Sequence, residues 1–120
     1  MTFGEAIEAA KRGERIQRAG WNGKHMWVAY TPGSTIPIGA ARAGAASHLA
    51  SELSALAQDI HEAESMTMRI NPHFDMRASD GSLVVGWLAS QTDIAADDWS
   101  VVTSFAPYVT GGPTPVSLPA

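Results

Sequence analysis

The chain has 120 residues, 45% of them apolar, which suits a single domain with a modest core. It contains no cysteine, so disulfides and cysteine-bound metals are excluded. A formal charge of -4 and a pI near 5.4 argue against a broad electrostatic footprint for duplex nucleic acid or an anionic membrane; any phosphate contact must be local.

The first residues lack the basic start and apolar run of a secretory signal, and no stretch of about 18 consecutive apolar residues occurs. The expectation is a soluble cytoplasmic protein. Thr2-Phe3-Gly4-Glu5 has the form of a capping box, and Phe3, Ala6, Ile7 and Ala10 then mark one helical face, with Gly13 placed to stop the helix.

From Glu14 the period changes. Arg15 to Trp21 and Lys24 to Tyr30 read as strands joined at Asn22-Gly23, the strongest short-range hairpin signal. A two-residue turn there sets Trp21 opposite Lys24 and Arg18 opposite Trp27, where the guanidinium can stack on the indole. Arg15, Arg18 and Lys24 make this hairpin a cationic surface in an acidic chain. Trp21 has two open readings: a stacking platform for a base, or a residue closing the core or a subunit contact.

Ile36-Pro37-Ile38 reads as a loop by its proline. An Ala-rich insert between about 35 and 64 leads into a helix from Ser47 to Glu64, about 27 Å long, with Leu49, Leu53, Leu56 and Ile60 on one stripe. His61-Glu62 makes no zinc-protease motif, since no second histidine follows at helical spacing. Met66, Met68 and Ile70 alternate with polar residues as in a short strand ending before Asn71-Pro72.

A second hairpin, His73 to Ser79 and Ser82 to Leu88, turns at Asp80-Gly81. Pairing Ser79 with Ser82 puts Phe74, Met76 and Ala78 on one face with Leu83, Val85 and Trp87, leaving His73, Asp75 and Arg77 on the other. Two ligands such as His73 and Asp75 specify too little geometry for a metal, and none is assigned. Arg77 is the better functional residue there, because its planar fork grips phosphate or a base edge.

Trp87-Leu88-Ala89-Ser90-Gln91-Thr92-Asp93 runs from strand into a second capping box, Ser90 with Asp93, and gathers donors and acceptors beside an indole. Such a corner suits a polar, ring-bearing ligand, although most capping boxes only begin helices. Ile94 to Ala96 gives barely one helical turn. Trp99 to Val102 is a closing strand with Trp99 in the core, and residues 106–120 form a Pro/Gly-rich tail. The fold class is α+β: a small antiparallel sheet from two tight hairpins, an N-terminal helix and one longer Ala/Leu helix, in a single domain over 1–105.

Three stretches carry a more specific signal in their order and spacing. They are Phe3-Gly4-Glu5-Ala6 followed by Arg18-Ala19-Gly20-Trp21-Asn22-Gly23-Lys24; Pro72-His73-Phe74-Asp75-Met76 with Asp80-Gly81; and the Trp87 to Asp93 run with Asp97-Asp98-Trp99. Together they resemble the small phage and prophage proteins of the DUF2829 family, which includes a Thoeris anti-defence protein of the second type. The resemblance implies a phage protein in the cytoplasm of the infected bacterial host, acting as a sponge. It would bind, without cleaving, a cyclic ADP-ribose isomer made by a defence enzyme with a TIR domain. It further implies a homo-oligomer, a tetramer with pockets between subunits, no cofactor, and in some members a separate site for cyclic oligonucleotides. Trp21 and Trp87 would be the aromatic pocket residues, with Asn22, Ser90, Gln91, Thr92 and Asp93 as polar partners. The residues themselves add Lys24, from the cationic hairpin, and Arg77 as candidate phosphate-binding cations. The chain departs from the family pattern at Val85-Gly86, where a proline is expected. Two other readings stay open: a hydrolase using His73 or His61 with Asp75 or Glu62, and an interaction module in which the aromatic residues hold subunits together.

Overall fold

The Glu5 N–H donates to Thr2 Oγ1 at 3.2 Å and the Thr2 N–H to Glu5 Oε1 at 2.8 Å, so the first helix starts at the expected capping box. The computed structural model describes residues 1–103; the tail expected from residue 106 lies outside the described residues. In chain order the elements are α1 (Phe3–Lys11), β1 (Ile16–Arg18), β2 (Trp27–Thr31), β3 (Ser34–Pro37), α2 (Gly44–Leu56), α3 (Ile60–Ser65), β4 (Thr67–Ile70), β5 (His73–Arg77), β6 (Leu83–Val85), α4 (Gln91–Ala95) and β7 (Trp99–Val101). The class is α+β, as expected.

Chain contacts divide the protein into two compact units: Met1–Thr31 with the chain from His73 onward, and Pro32–Pro72. The first holds an antiparallel five-stranded sheet in the order β6-β5-β2-β1-β7. Strand alternation sends Ile16, Val28 and Trp99 to the face covered by α1, which lays Ala6, Ala9 and Ala10 against them. Alanine on that helical face lets the backbone approach closely, and all six side chains are buried. Burial of each large apolar side chain contributes about 1.5–3 kcal/mol.

Neither Gly dipeptide makes the two-residue turn it suggests. After β1 the chain enters a 3-10 turn over Ala19–Trp21, Asn22 is left-handed at φ 59°, and β2 begins only at Trp27. The pair is Ile16 with Val28, one residue away from the expected register, so Arg18 does not stack on Trp27. Arg15 lies 5.7 Å from that ring instead. Around Asp80-Gly81 the loop has three residues, with Ala78 N–H donating to Ser82 O at 2.8 Å and Gly81 N–H to Ala78 O at 2.9 Å. The register becomes Arg77 with Leu83, Met76 with Val84 and Asp75 with Val85, which moves Leu83 and Val85 onto the polar face of β5. Both are exposed.

The second unit also departs from expectation. Ile36-Pro37 is part of a strand rather than a loop, because β3 pairs with β4 from Ser34↔Ile70 to Pro37↔Thr67 and Pro37 sits at the strand end, where a missing N–H is tolerated. The single long helix is two: α2 closes at Leu56, and Asp59 caps α3 by accepting from Glu62 N–H at 2.9 Å. An aspartate that offers a new cap competes with helix continuation. α2 is therefore about 20 Å long. It buries none of its residues completely, and Leu49, Leu56 and, in α3, Ile60 are exposed.

Candidate functional site

The run from Trp87 to Asp93 folds as its composition suggests. Asp93 N–H donates to Ser90 Oγ at 3.0 Å and Ser90 N–H to Asp93 Oδ2 at 3.2 Å, which starts the short helix α4. Aspartate replaces the usual glutamate of the box and still reaches, because the carboxylate lies tight against the turn.

The other carboxylate oxygen decides how the corner is assembled. Asp93 Oδ1 accepts from Arg18 Nη1 at 2.8 Å and from the indole Nε1 of Trp21 at 3.3 Å. Arg18 Nε donates to Asp98 Oδ1 at 2.8 Å, and Asp98 Oδ2 takes the Gly20 N–H at 2.8 Å. Trp99 Nε1 donates to the Asp93 carbonyl at 2.9 Å. One guanidinium and two aspartates thus tie β1 and the 3-10 turn to α4 and the start of β7. This is why residues 19–21 leave the strand path. A Cβ at position 20 would meet Arg18 Nη2 at 2.9 Å and Asp98 Oδ2 at 3.1 Å, so a side chain there would push on the ion pair itself.

Burial pushes the Asp93 carboxyl up, but Arg18, the Ser90 N–H and hydroxyl and the Trp21 N–H outweigh it and hold it below the ordinary aspartate range. The Arg18 side chain also holds Asp98 low, and the two aspartates keep Arg18 firmly protonated. A carboxyl whose pKa is lowered by folding stabilises above its unfolded value, about 3.9, and that stability is lost as pH falls through the lower folded value. The melting temperature is therefore expected to be flat from neutrality to about pH 5 and to drop below about pH 4. Asp98→Asn should make that acid limb shallower in calorimetry at stepped pH; an unchanged limb would show that the pair does not couple to folding.

The tie brings three indoles together. Trp21 meets Trp87 edge to face at 6.3 Å and Trp99 at 5.2 Å, and Trp87 meets Trp99 at 6.2 Å. Phe3 extends the cluster at 5.6 Å from Trp99. Trp99 is buried, as expected of a core residue, while Trp21 and Trp87 are half-buried. Asn22, Ser90, Gln91 and Thr92 are exposed beside them in the chain. Of the nine site residues expected from sequence, contacts join Trp21, Trp87, Ser90 and Asp93; Asn22, Gln91 and Thr92 are exposed neighbours of these in the chain.

Asp93 is placed differently from a ligand partner, because both its oxygens are engaged inside the protein. Lys24 is exposed in the loop beyond Asn22. Arg77 does not join the corner: it pairs with Trp27 at the far end of β5, on the sheet face away from α1, and donates to His25 O at 3.3 Å and Ala78 O at 3.2 Å. Sequence reasoning missed Arg18 and Asp98 as organisers. Their ion pair spans 80 positions, and only the acidic Asp97-Asp98 pair beside the closing strand hinted at a cationic partner.

The profile of the Thoeris anti-defense 2-like domain matches residues 1–102. A curated relative, "Thoeris anti-defense 2" of Bacillus phage SP01, is 29% identical over 105 residues, which are 86% of this chain and 96% of that protein. Both matches take in the indole cluster, the Arg18 tie and the capped corner. The chain belongs to the Thoeris anti-defense 2-like family of anti-defence proteins.

Proposed function

We propose that this protein acts inside a phage-infected bacterium by binding and sequestering, without cleaving, a cyclic ADP-ribose-type immune signal of the Thoeris system. The observation that carries this reading is the pairing of half-buried Trp21 with half-buried Trp87, each followed within a few residues of the chain by exposed polar side chains, Asn22 after the first and Ser90, Gln91 and Thr92 after the second. An adenine ring stacks on indole faces, ribose hydroxyls exchange hydrogen bonds with amide and hydroxyl side chains, and the pyrophosphate requires a nearby donor or cation, for which Lys24 is the exposed candidate. A rigid cyclic ligand loses little conformational freedom when captured, which favours tight binding. Capture suffices for function if the downstream effector never meets the signal. Pockets shared between subunits of a homo-oligomer, a tetramer in this reading, would let one chain supply what another lacks.

The hydrolytic alternative is less supported by the geometry. Asp75 is buried and accepts from Thr31 Oγ1 and the Gly86 N–H, while Glu62 stands exposed on α3 and accepts from the Gln58 N–H at 3.0 Å. Titration calorimetry with glycocyclic ADP-ribose isomers, followed by heat release and chromatography, tests the reading. Tight binding with intact ligand recovered supports it; altered product would favour an enzyme, and no binding to any cyclic nucleotide would end it.

A further inference from the structure

We infer that Asp75 is the positioning residue for the second pocket indole, Trp87, acting through a bulge at Gly86; the inference deepens the proposed binding role and rests on it. Among the described residues, the buried polar or charged side chains are Asp93 and Asp75. Asp93 bonds the Trp21 indole directly. Asp75 lies on β5, with Oδ1 accepting the Gly86 N–H at 2.9 Å and Oδ2 accepting from Thr31 Oγ1, 3.3 Å from His73 Nε2.

The ladder shows what that bond does. Arg77↔Leu83, Met76↔Val84 and Asp75↔Val85, continued regularly, would set Gly86 opposite Phe74 and Trp87 opposite His73. Trp87 would then point to the sheet face away from α1. Instead the Trp87 N–H donates to the Phe74 carbonyl at 2.7 Å, and the displaced Gly86 N–H turns to the Asp75 carboxylate. Two residues thus oppose one, and Gly86 takes φ +79°, the conformation of a glycine bulge. The extra residue carries Trp87 across the sheet plane, onto the face where Trp21 and Trp99 lie. The Asp75 carboxylate thus gives the displaced Gly86 N–H a charged acceptor inside the bulge. Proline at 86 could neither donate this N–H nor adopt a positive φ.

Asp75→Ala should abolish the indole coupling between Trp21, Trp87 and Trp99 seen in the near-ultraviolet circular dichroism, with the far-ultraviolet spectrum retained. It should weaken glycocyclic ADP-ribose binding at least about tenfold. Asp75→Asn is the rescue, because its amide oxygen still accepts from Gly86 and the Thr31 hydroxyl can turn to accept from its N–H. It should keep the spectrum and bind within about threefold of the parent. If Asp75→Ala fails to fold, Gly86→Val and Gly86→Asn give the same contrast. Space around Gly86 is open, so only backbone strain separates them, and asparagine tolerates the left-handed region while valine does not. A parent-like near-ultraviolet spectrum in Asp75→Ala or Gly86→Val overturns the inference, as does parent affinity in either. The spectral arm needs no ligand: failure of the unsubstituted protein to bind any nucleotide would sink the function proposal and leave the positioning role of Asp75 still measured.

Discussion

Replacing Asp93 by alanine is expected to cost about 3–5 kcal/mol of folding stability, the range for breaking a largely buried ion pair from one side. The substitution removes three things together: the partner of the Arg18 guanidinium at 2.8 Å, the acceptor for the Trp21 indole and half of the capping box at Ser90. Loss of a cap alone accounts for only about 1 kcal/mol. Urea unfolding followed by tryptophan fluorescence should show the midpoint falling with little change in slope. Arg18→Ala should move stability in the same direction, and the double variant should lose less than the sum of the two, since both break one contact. Additive losses would mean that Arg18 and Asp93 act independently and that the tie is not what assembles the corner. The same variants should lose nucleotide binding without Asp93 touching the ligand, because Trp21 is held through it.

Trp21→Ala is expected to weaken capture of a cyclic ADP-ribose isomer by about 1–3 kcal/mol, or roughly 5- to 150-fold, the range for removing one base-stacking aromatic side chain. The indole also packs on Trp99 at 5.2 Å, so some stability is lost with it; calorimetry must therefore be made well below the melting transition. Trp21→Phe separates the contributions. It keeps a ring to stack on but loses the N–H donated to Asp93, and so should retain most of the affinity while lowering stability. If the aromatic residues serve only to hold subunits together, Trp21→Ala should instead shift the molecular mass on a sizing column. Binding and mass are measured on one sample, and loss of binding with unchanged mass supports the capture reading.

Local chemistry was legible in the residues. Both capping boxes, Thr2 with Glu5 and Ser90 with Asp93, form as read, as do the helical face of Phe3 to Ala10, the short strands around Met68 and Trp99, and the placing of Trp99 in the core. These features depend on contacts three or four positions apart or on simple alternation, so the sequence contains all their terms. The family resemblance was carried the same way, by short motifs in fixed order, and the match over residues 1–102 agrees with it.

Register and assembly were not legible. Asn22-Gly23 and Asp80-Gly81 each carry a strong tight-turn signal, yet each sits in a longer connection, and a slip of one residue exchanges the faces of a strand. What overrides the first signal is a long-range charge contact, Arg18 to Asp93 and Asp98 across 75 and 80 positions; what re-aims Trp87 beyond the second is the Asp75 carboxylate beneath Gly86. By itself the sequence determined the kind of elements, their caps and the chemical inventory of the corner. Only the tertiary structure decided that two buried aspartates each hold one indole in place, because the worth of a charge or a backbone donor depends on what desolvates and pairs with it, and those partners lie far away along the chain.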